Sequence, residues 1–135
     1  MTEPGSVAAS GDSLPRSLAV GAPERRENLD VLVFYVPIGD TEAVLNAVFR
    51  AGAGAIGDYR DCAFVAPGTG QFRPVPGANP AIGEIGSLEH VPENRVEVVL
   101  PRRLRREVVE ALIEAHPYEE PAFHVLETAS TTLAD

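Results

Sequence analysis

The run 31–36 constrains the fold of this 135-residue chain more than any other segment. It consists of Val, Leu, Phe and Tyr, which favour strands, and it is apolar on both alternating faces rather than on one. Such a strand needs cover on both sides of its sheet. One helical layer covers only one face, and an exposed apolar face costs about 25 cal/mol per Å². We therefore expect a second subunit to cover the other face.

Two helices are predicted from their apolar periodicity and their end signals. The first has Asp40 or Thr41 as its N-cap and stops at Gly52. The second begins at Pro101, repeats Leu, Val and Ala at helical spacing, and ends before Pro117, which cannot continue a helix. Its apolar stripe is the most regular pattern in the chain.

Strands alternate with these helices. Besides 31–36, the pattern predicts strands over 59–65, 95–100 and 123–127, with 87–91 as an extension of the same sheet. The resulting order, βαββαβ, is typical of an α+β, ferredoxin-like sandwich with an antiparallel sheet and both helices on one face. This domain is predicted over 29–128.

The remaining segments and the composition limit the function. Residues 1–28 and 129–135 are predicted to be a disordered tail and a frayed end, since neither has apolar periodicity. A net charge of -9 argues against nucleic acid and anionic membranes as partners. All eleven basic residues are Arg, which excludes lysine-dependent phosphate loops and Schiff bases. A single cysteine, Cys62, and the absence of a signal peptide or long apolar span predict a cytoplasmic protein.

Three motifs together resemble a known family. They are Gly-Thr-Gly-Gln-Phe-Arg-Pro at 68–74, Gly-Ala-Asn-Pro and Ile-Gly-Glu within 77–84, and His-Pro-Tyr-Glu-Glu-Pro-Ala at 116–122. In this order and spacing they resemble the PII-like, CutA-like domain inserted in bacterial Nif-three-like proteins of the YqfO type. The chain is similar to that domain standing alone, over about 30–127. At Phe123 and His124 it departs from the Tyr-Asp pair of the family.

The resemblance implies a ferredoxin-like subunit and a homotrimer like those of PII signalling proteins and CutA. The family's two-metal site lies in lobes flanking the inserted domain. The resemblance therefore does not carry a metallohydrolase activity to this segment.

A segment rich in Gly and Pro, 66–86, is predicted to be a long loop, and loops of that length tend to be functional. In one interpretation its glycine N–H groups cradle an anion and an arginine adds charge. In the other it is an arm that packs on a neighbouring subunit. The predicted ligand-binding residues are Gly68, Thr69, Gly70, Arg73, Asn79 and Glu84.

The turn after the second helix places an imidazole and two carboxylates between two prolines. A divalent metal, the only cofactor that the sequence suggests, could be held by His116, Glu119 and Glu120, with Glu84 as a further ligand. Alternatively His116 acts as an acid/base beside Glu119 or Glu120, or the turn is simply a helix stop with His116 on the negative end of the helix dipole.

Four arginines crowd the start of the second helix, where positive charge opposes the helix dipole. Either they bind an anion or an acidic partner, or Arg103 pairs with Glu107 and Arg106 with Glu110 on a solvated face. His124 and Cys62 are interpreted as ordinary strand residues.

Three functions are compatible with these patterns. The favoured one is a non-enzymatic, trimeric, regulatory binding module for an anion, a nucleotide, a divalent metal or a protein partner; the others are a small enzyme and a CutA-like metal-binding protein. The functional cleft is predicted between the long loop and the turn, with Arg73 and Glu84 approaching the turn's His and Glu residues, because an ordered glycine-rich loop must dock on something.

Overall fold

The computed structural model describes residues 27–129. Their elements follow the order βαββαβ, and a short 3-10 turn precedes each helix, at Ile38–Asp40 and at Arg102–Leu104. This confirms the predicted α+β, ferredoxin-like fold. The elements are β1 Leu29–Pro37, α1 Thr41–Arg50, β2 Phe64–Phe72, β3 Glu89–Pro101, α2 Arg105–Ala115 and β4 Phe123–Glu127.

The four strands form one antiparallel sheet in the order β2-β3-β1-β4. β1 lies in the interior and pairs with β3 along its whole length, from Leu29 opposite Pro101 to Pro37 opposite Glu93. This register brings Leu29 and Pro101 together at one end of the β1–β3 pair, and Pro37 and Glu93 together at the other end. Side chains of paired residues lie on the same face of the sheet.

Both helices cover one face of this sheet. Alternate residues of β1, namely Leu32, Phe34 and Val36, are fully buried there. The predicted stripe of α2 contributes Val108 and Leu112, also fully buried. Burial of each large apolar side chain stabilises the fold by about 1.5 to 3 kcal/mol, so this layer is the core. The rest of the buried core comprises Val44, Val48, Ala53, Val96, Val98 and Leu100.

The helix ends follow the predicted signals with one difference. The Thr41 hydroxyl donates to the Pro37 carbonyl at 3.2 Å, and the Asp40 side chain makes no capping hydrogen bond. At the other end Gly52, with φ +114°, ends the helix in a conformation that other residues rarely adopt. α2 ends because His116, which precedes Pro117, is extended (φ -75°, ψ 138°).

The predicted bounds of the middle strands were wrong. β2 begins at Phe64 rather than at 59 and continues through the Gly-Thr-Gly segment, and β3 begins at Glu89 rather than at 95. Glycine and proline weaken strand signals, so the sequence alone predicts a loop where this hairpin lies. Pairing with β3 overrides this weak local preference, and the loop itself covers only 73–88.

The predicted tails lie outside the described residues, except for Glu27, Asn28 and Ala129 at their inner ends. No helix within residues 27–129 has the length and apolar character needed to cross a membrane.

Candidate functional site

A cavity of about 270 Å³ lies between the long loop (73–88) and the turn after α2 (116–122). Both segments of the predicted functional cleft therefore line one cavity, and its function stays a prediction. Its lining comes from three places: the β2–β3 hairpin, the loop and the turn. The lining residues are Gln71, Phe72 and Glu93, then Pro74, Ala78, Pro80, Ala81 and Ile82, and finally Tyr118, Glu119, Glu120 and Ala122.

Hydrogen bonds close the base of the loop and fasten its tip. The Gly86 N–H donates to the Pro74 carbonyl at 2.7 Å, and the Arg73 guanidinium donates to the Gly86 carbonyl at 3.3 Å. Near the tip, the Asn79 N–H donates to Oε2 of Glu119 in the turn at 2.9 Å. This charge-assisted bond holds the loop over the cavity.

His116 holds the turn against the sheet. Its Nε2 donates to the Tyr35 carbonyl at 2.7 Å, and its Nδ1 accepts the Tyr118 N–H at 3.1 Å. A carbonyl can only accept and a backbone N–H can only donate, so these partners fix the tautomer and use both ring nitrogens. With 6% of its surface exposed, His116 has no nitrogen left for a metal or for proton transfer in this conformation.

Glu93 and Tyr118 form the polar centre of the cavity. The Tyr118 hydroxyl donates to Oε2 of Glu93 at 2.8 Å, and the Phe72 ring lies 5.9 Å from the Tyr118 ring. Burial, and secondly the Glu93 carboxylate, raise the pKa of Tyr118, so the phenol remains a donor. Glu93 is 8% exposed, and no Arg or His within residues 27–129 forms an ion pair with it.

The predicted anion cradle has a different geometry. Gly68, Thr69 and Gly70 lie in β2 opposite Glu93, Pro92 and Val91, whereas a cradle of N–H groups needs a turn-like backbone. A Cβ on Gly70 would collide with Oε1 of Glu93, so the carboxylate in its present position approaches the strand where a glycine leaves room for it. The nearest charge to this segment is therefore negative.

The other predicted residues divide into those at the cavity and those outside it. Asn79 reaches the turn through its backbone, and Glu119 and Glu120 line the cavity, while Arg73 and Glu84 do not. Within residues 27–129 no three His, Cys, Asp or Glu side chains lie close enough together to hold a metal. The predicted set of His116, Glu119 and Glu120 does not converge.

Sequence reasoning missed Glu93, because β3 was predicted to begin two residues later, at Arg95. Had the strand been extended over 89–101, its alternation would have placed Glu93 on the same face as Arg95 and Val91. That position alone would not have singled out Glu93, because Arg95 beside it on the same face is charged and exposed, and the role of Glu93 follows from its contact with Tyr118.

Arginines at the start of α2 form hydrogen bonds and ion pairs with a second buried carboxylate, that of Asp30. Asp30, fully buried, accepts from Nε of Arg102 at 2.7 Å and from Nε of Arg105 at 2.6 Å. Arg105 also pairs with Glu127 at 2.6 Å, and Arg103 pairs with Glu27. Arg103 therefore pairs with Glu27 rather than with the predicted Glu107, and no ion pair joins Arg106 to Glu110 within residues 27–129. The Arg105 and Arg102 hydrogen bonds outweigh desolvation and lower the pKa of Asp30.

Comparisons with known proteins agree with this fold. No family model matches the chain. It is 57% identical over 98 residues to the "GTP cyclohydrolase 1 type 2 homolog" of Mycobacterium tuberculosis, and 44% identical over 110 residues to the Bacillus subtilis protein of the same name. These matches cover 73% and 82% of this chain, but only 26% and 30% of the relatives. The chain thus spans about a quarter to a third of their length.

Among solved structures, a Bacillus cereus protein related to NIF3 superimposes with a TM-score of 0.66 at 41% identity, over 76% of this chain and 26% of that one. The chain is a homologue of one segment of the Nif3-related proteins. CutA from Synechococcus elongatus superimposes on this Nif3-related segment with a TM-score of 0.55 at 18% identity, over 81% of this chain and 86% of CutA. At that identity the likeness establishes the CutA-like fold alone.

Proposed function

We propose that this Nif3-related segment is a non-enzymatic, trimeric binding module that holds a small ligand in the cavity between the long loop and the turn. The observation that carries the proposal is the hydrogen bond from the Asn79 N–H to Glu119, which fastens an exposed loop over a cavity instead of onto the core. Concave, largely apolar sites with a few polar groups are typical of small-molecule binding.

The geometry of His116 supports a binding role over an enzymatic one. A general acid or base needs a nitrogen that can reach the substrate, and both nitrogens of His116 are bonded to the backbone. His116 instead orients the turn that forms one wall of the cavity.

The sheet face opposite the helices supports the trimer. Phe64 is 67% exposed and Leu126 is 54% exposed, and their strand positions place both on this face. Val31 and Val99 lie in the same row as Leu126 and are only partly buried, while the row of Phe64 holds Glu97, Val33 and His124. Large apolar side chains exposed on one face are characteristic of a surface that another subunit covers.

The oligomeric state tests this part of the proposal. Light scattering should give three times the 14.3 kDa mass of the chain. Leu126→Glu should dissociate the trimer, whereas Ile113→Glu, at a similarly exposed position on α2, should leave it intact. A monomeric wild-type chain at micromolar concentration would overturn the trimer.

A ligand screen tests the cavity. Thermal shifts should be measured with divalent metals, phosphates, nucleotides, carboxylates and amines. Ala81→Phe, which fills the cavity from an exposed position, should abolish any specific shift, and Ala43→Phe on the exposed side of α1 is the matched control. The proposed function fails if no compound gives a shift that Ala81→Phe removes.

A further inference from the structure

The lining of the cavity has a definite charge. Within residues 27–129 it is lined by three carboxylates, from Glu93, Glu119 and Glu120, and by no basic side chain, while its walls are mainly Pro, Ala, Ile and Phe. An anion placed here would face carboxylates without a compensating charge, and like charges at close range repel. The cavity therefore selects against anions, including the phosphates that the sequence suggested.

Glu93 is an uncompensated charge within this lining. Its Oε2 accepts from the Tyr118 hydroxyl, but Oε1 accepts no hydrogen bond from any group in residues 27–129. A carboxylate that is 8% exposed is costly unless it is paired. Because Glu93 lines the cavity, a cation that enters the cavity can supply the missing partner.

A bare metal ion fits this arrangement poorly. Metal ions require several converging ligands, and residues 27–129 contain no such cluster. Glu119 is already occupied in part by the Asn79 N–H. An ammonium or guanidinium needs only one or two carboxylate oxygens, and an apolar body attached to it would replace water against Phe72, Pro80 and Ile82.

We propose that the cavity binds an organic cation, an amine or guanidinium carried on a small apolar body, whose charge pairs with Glu93. The inference rests on the proposed function, because it names the ligand class of the same cavity. Glu119 and Glu120 at the turn add long-range attraction for the cation, and the apolar walls select its body.

Three probes of nearly equal shape test the inference: phenethylamine, 2-phenylethanol and 3-phenylpropionate, each titrated by calorimetry into the full chain. The amine should bind at least tenfold more tightly than the alcohol, and the carboxylate should bind least. Glu93→Gln should remove at least tenfold of the amine affinity. Glu110→Gln, an exposed change on α2, should leave that affinity unchanged.

A second measurement guards against a folding defect in Glu93→Gln. 2-Phenylethanol carries no charge to pair with Glu93, so its affinities for Glu93→Gln and for wild type should agree within about threefold. The cation inference is overturned if the amine does not bind, if the alcohol or the carboxylate binds as tightly, or if Glu93→Gln keeps full affinity. Binding of 3-phenylpropionate that Ala81→Phe abolishes would leave the proposed function standing while overturning the cation.

Discussion

Two buried carboxylates at opposite ends of the sheet have opposite surroundings. Asp30, at the start of β1, is enclosed by the guanidinium groups of Arg102 and Arg105. Glu93, opposite Pro37 at the end of β1, has a phenol on one oxygen and a cavity beside it. A charge that the chain itself neutralises fastens the fold, whereas a charge without a partner marks a place where a ligand can complete the structure.

The largest expected effect is at the neutralised end. Asp30→Asn should lower the free energy of unfolding by about 3 kcal/mol, the lower end of the range for breaking a buried ion pair, since both guanidinium groups keep contact with solvent. Urea unfolding measures this loss. Asp58→Asn, an exposed change, is the control and should stay within about 0.5 kcal/mol of wild type.

Acid should remove the same interaction more gently. The arginines lower the pKa of Asp30 and of Glu127 from their ordinary values of 3.8 and 4.5. Between the ordinary pKa values and the lower pKa values of the folded protein, the unfolded chain binds more protons than the folded chain. The stabilisation by these carboxylates is therefore fully present above the ordinary pKa values, and it is lost as the pH falls through the pKa values of the folded protein. Between pH 5 and about pH 2, the free energy of unfolding should therefore fall more steeply with decreasing pH in wild type than in Asp30→Asn. Parallel curves would contradict this role of Asp30.

The elements of the fold also differ in how well the sequence predicts them. The helices and β1 followed from apolar periodicity and from Pro117, because local signals and packing agree there. The extended β2–β3 hairpin did not, because Gly68 and Gly70 carry no local strand preference and are held in the strand by pairing with β3.

The same reason explains which parts of the site were predictable. The loop and the turn are marked by Gly, Pro and length, so their meeting was foreseeable. The roles of Glu93 and Asp30 depend only on tertiary contacts. Glu93 contacts Tyr118, and Asp30 contacts arginines more than 70 residues away. No local pattern contains such pairs.

A smaller effect is expected where β2 passes Glu93. Gly70→Ala should cost about 1 to 2 kcal/mol, because its Cβ would displace the Glu93 carboxylate and strain its bond with Tyr118. Gly68→Ala, with open space around its added Cβ, should be neutral. When Glu93 is already replaced by alanine, Gly70→Ala should no longer lower the free energy of unfolding. If the losses from Gly70→Ala and Glu93→Ala are additive in the double mutant, the proposed close approach is wrong.

The smallest effect, and the one that tests the comparison most directly, is that of Glu93→Gln in the ligand-free protein. The amide keeps the shape of the side chain and an oxygen that accepts the Tyr118 hydroxyl, while it removes a charge that has no cation within residues 27–129. We expect the free energy of unfolding to stay within about 1 kcal/mol of wild type or to rise, opposite in sign to Asp30→Asn. A loss above about 2 kcal/mol would mean that Glu93 already has a cationic partner, such as an arginine of a neighbouring subunit. Such a partner could come from a neighbouring subunit or from the same chain, and repeating the measurement in the Leu126→Glu background separates these two cases. A loss of stability that disappears in that background comes from the subunit interface, and a loss that persists comes from within the chain.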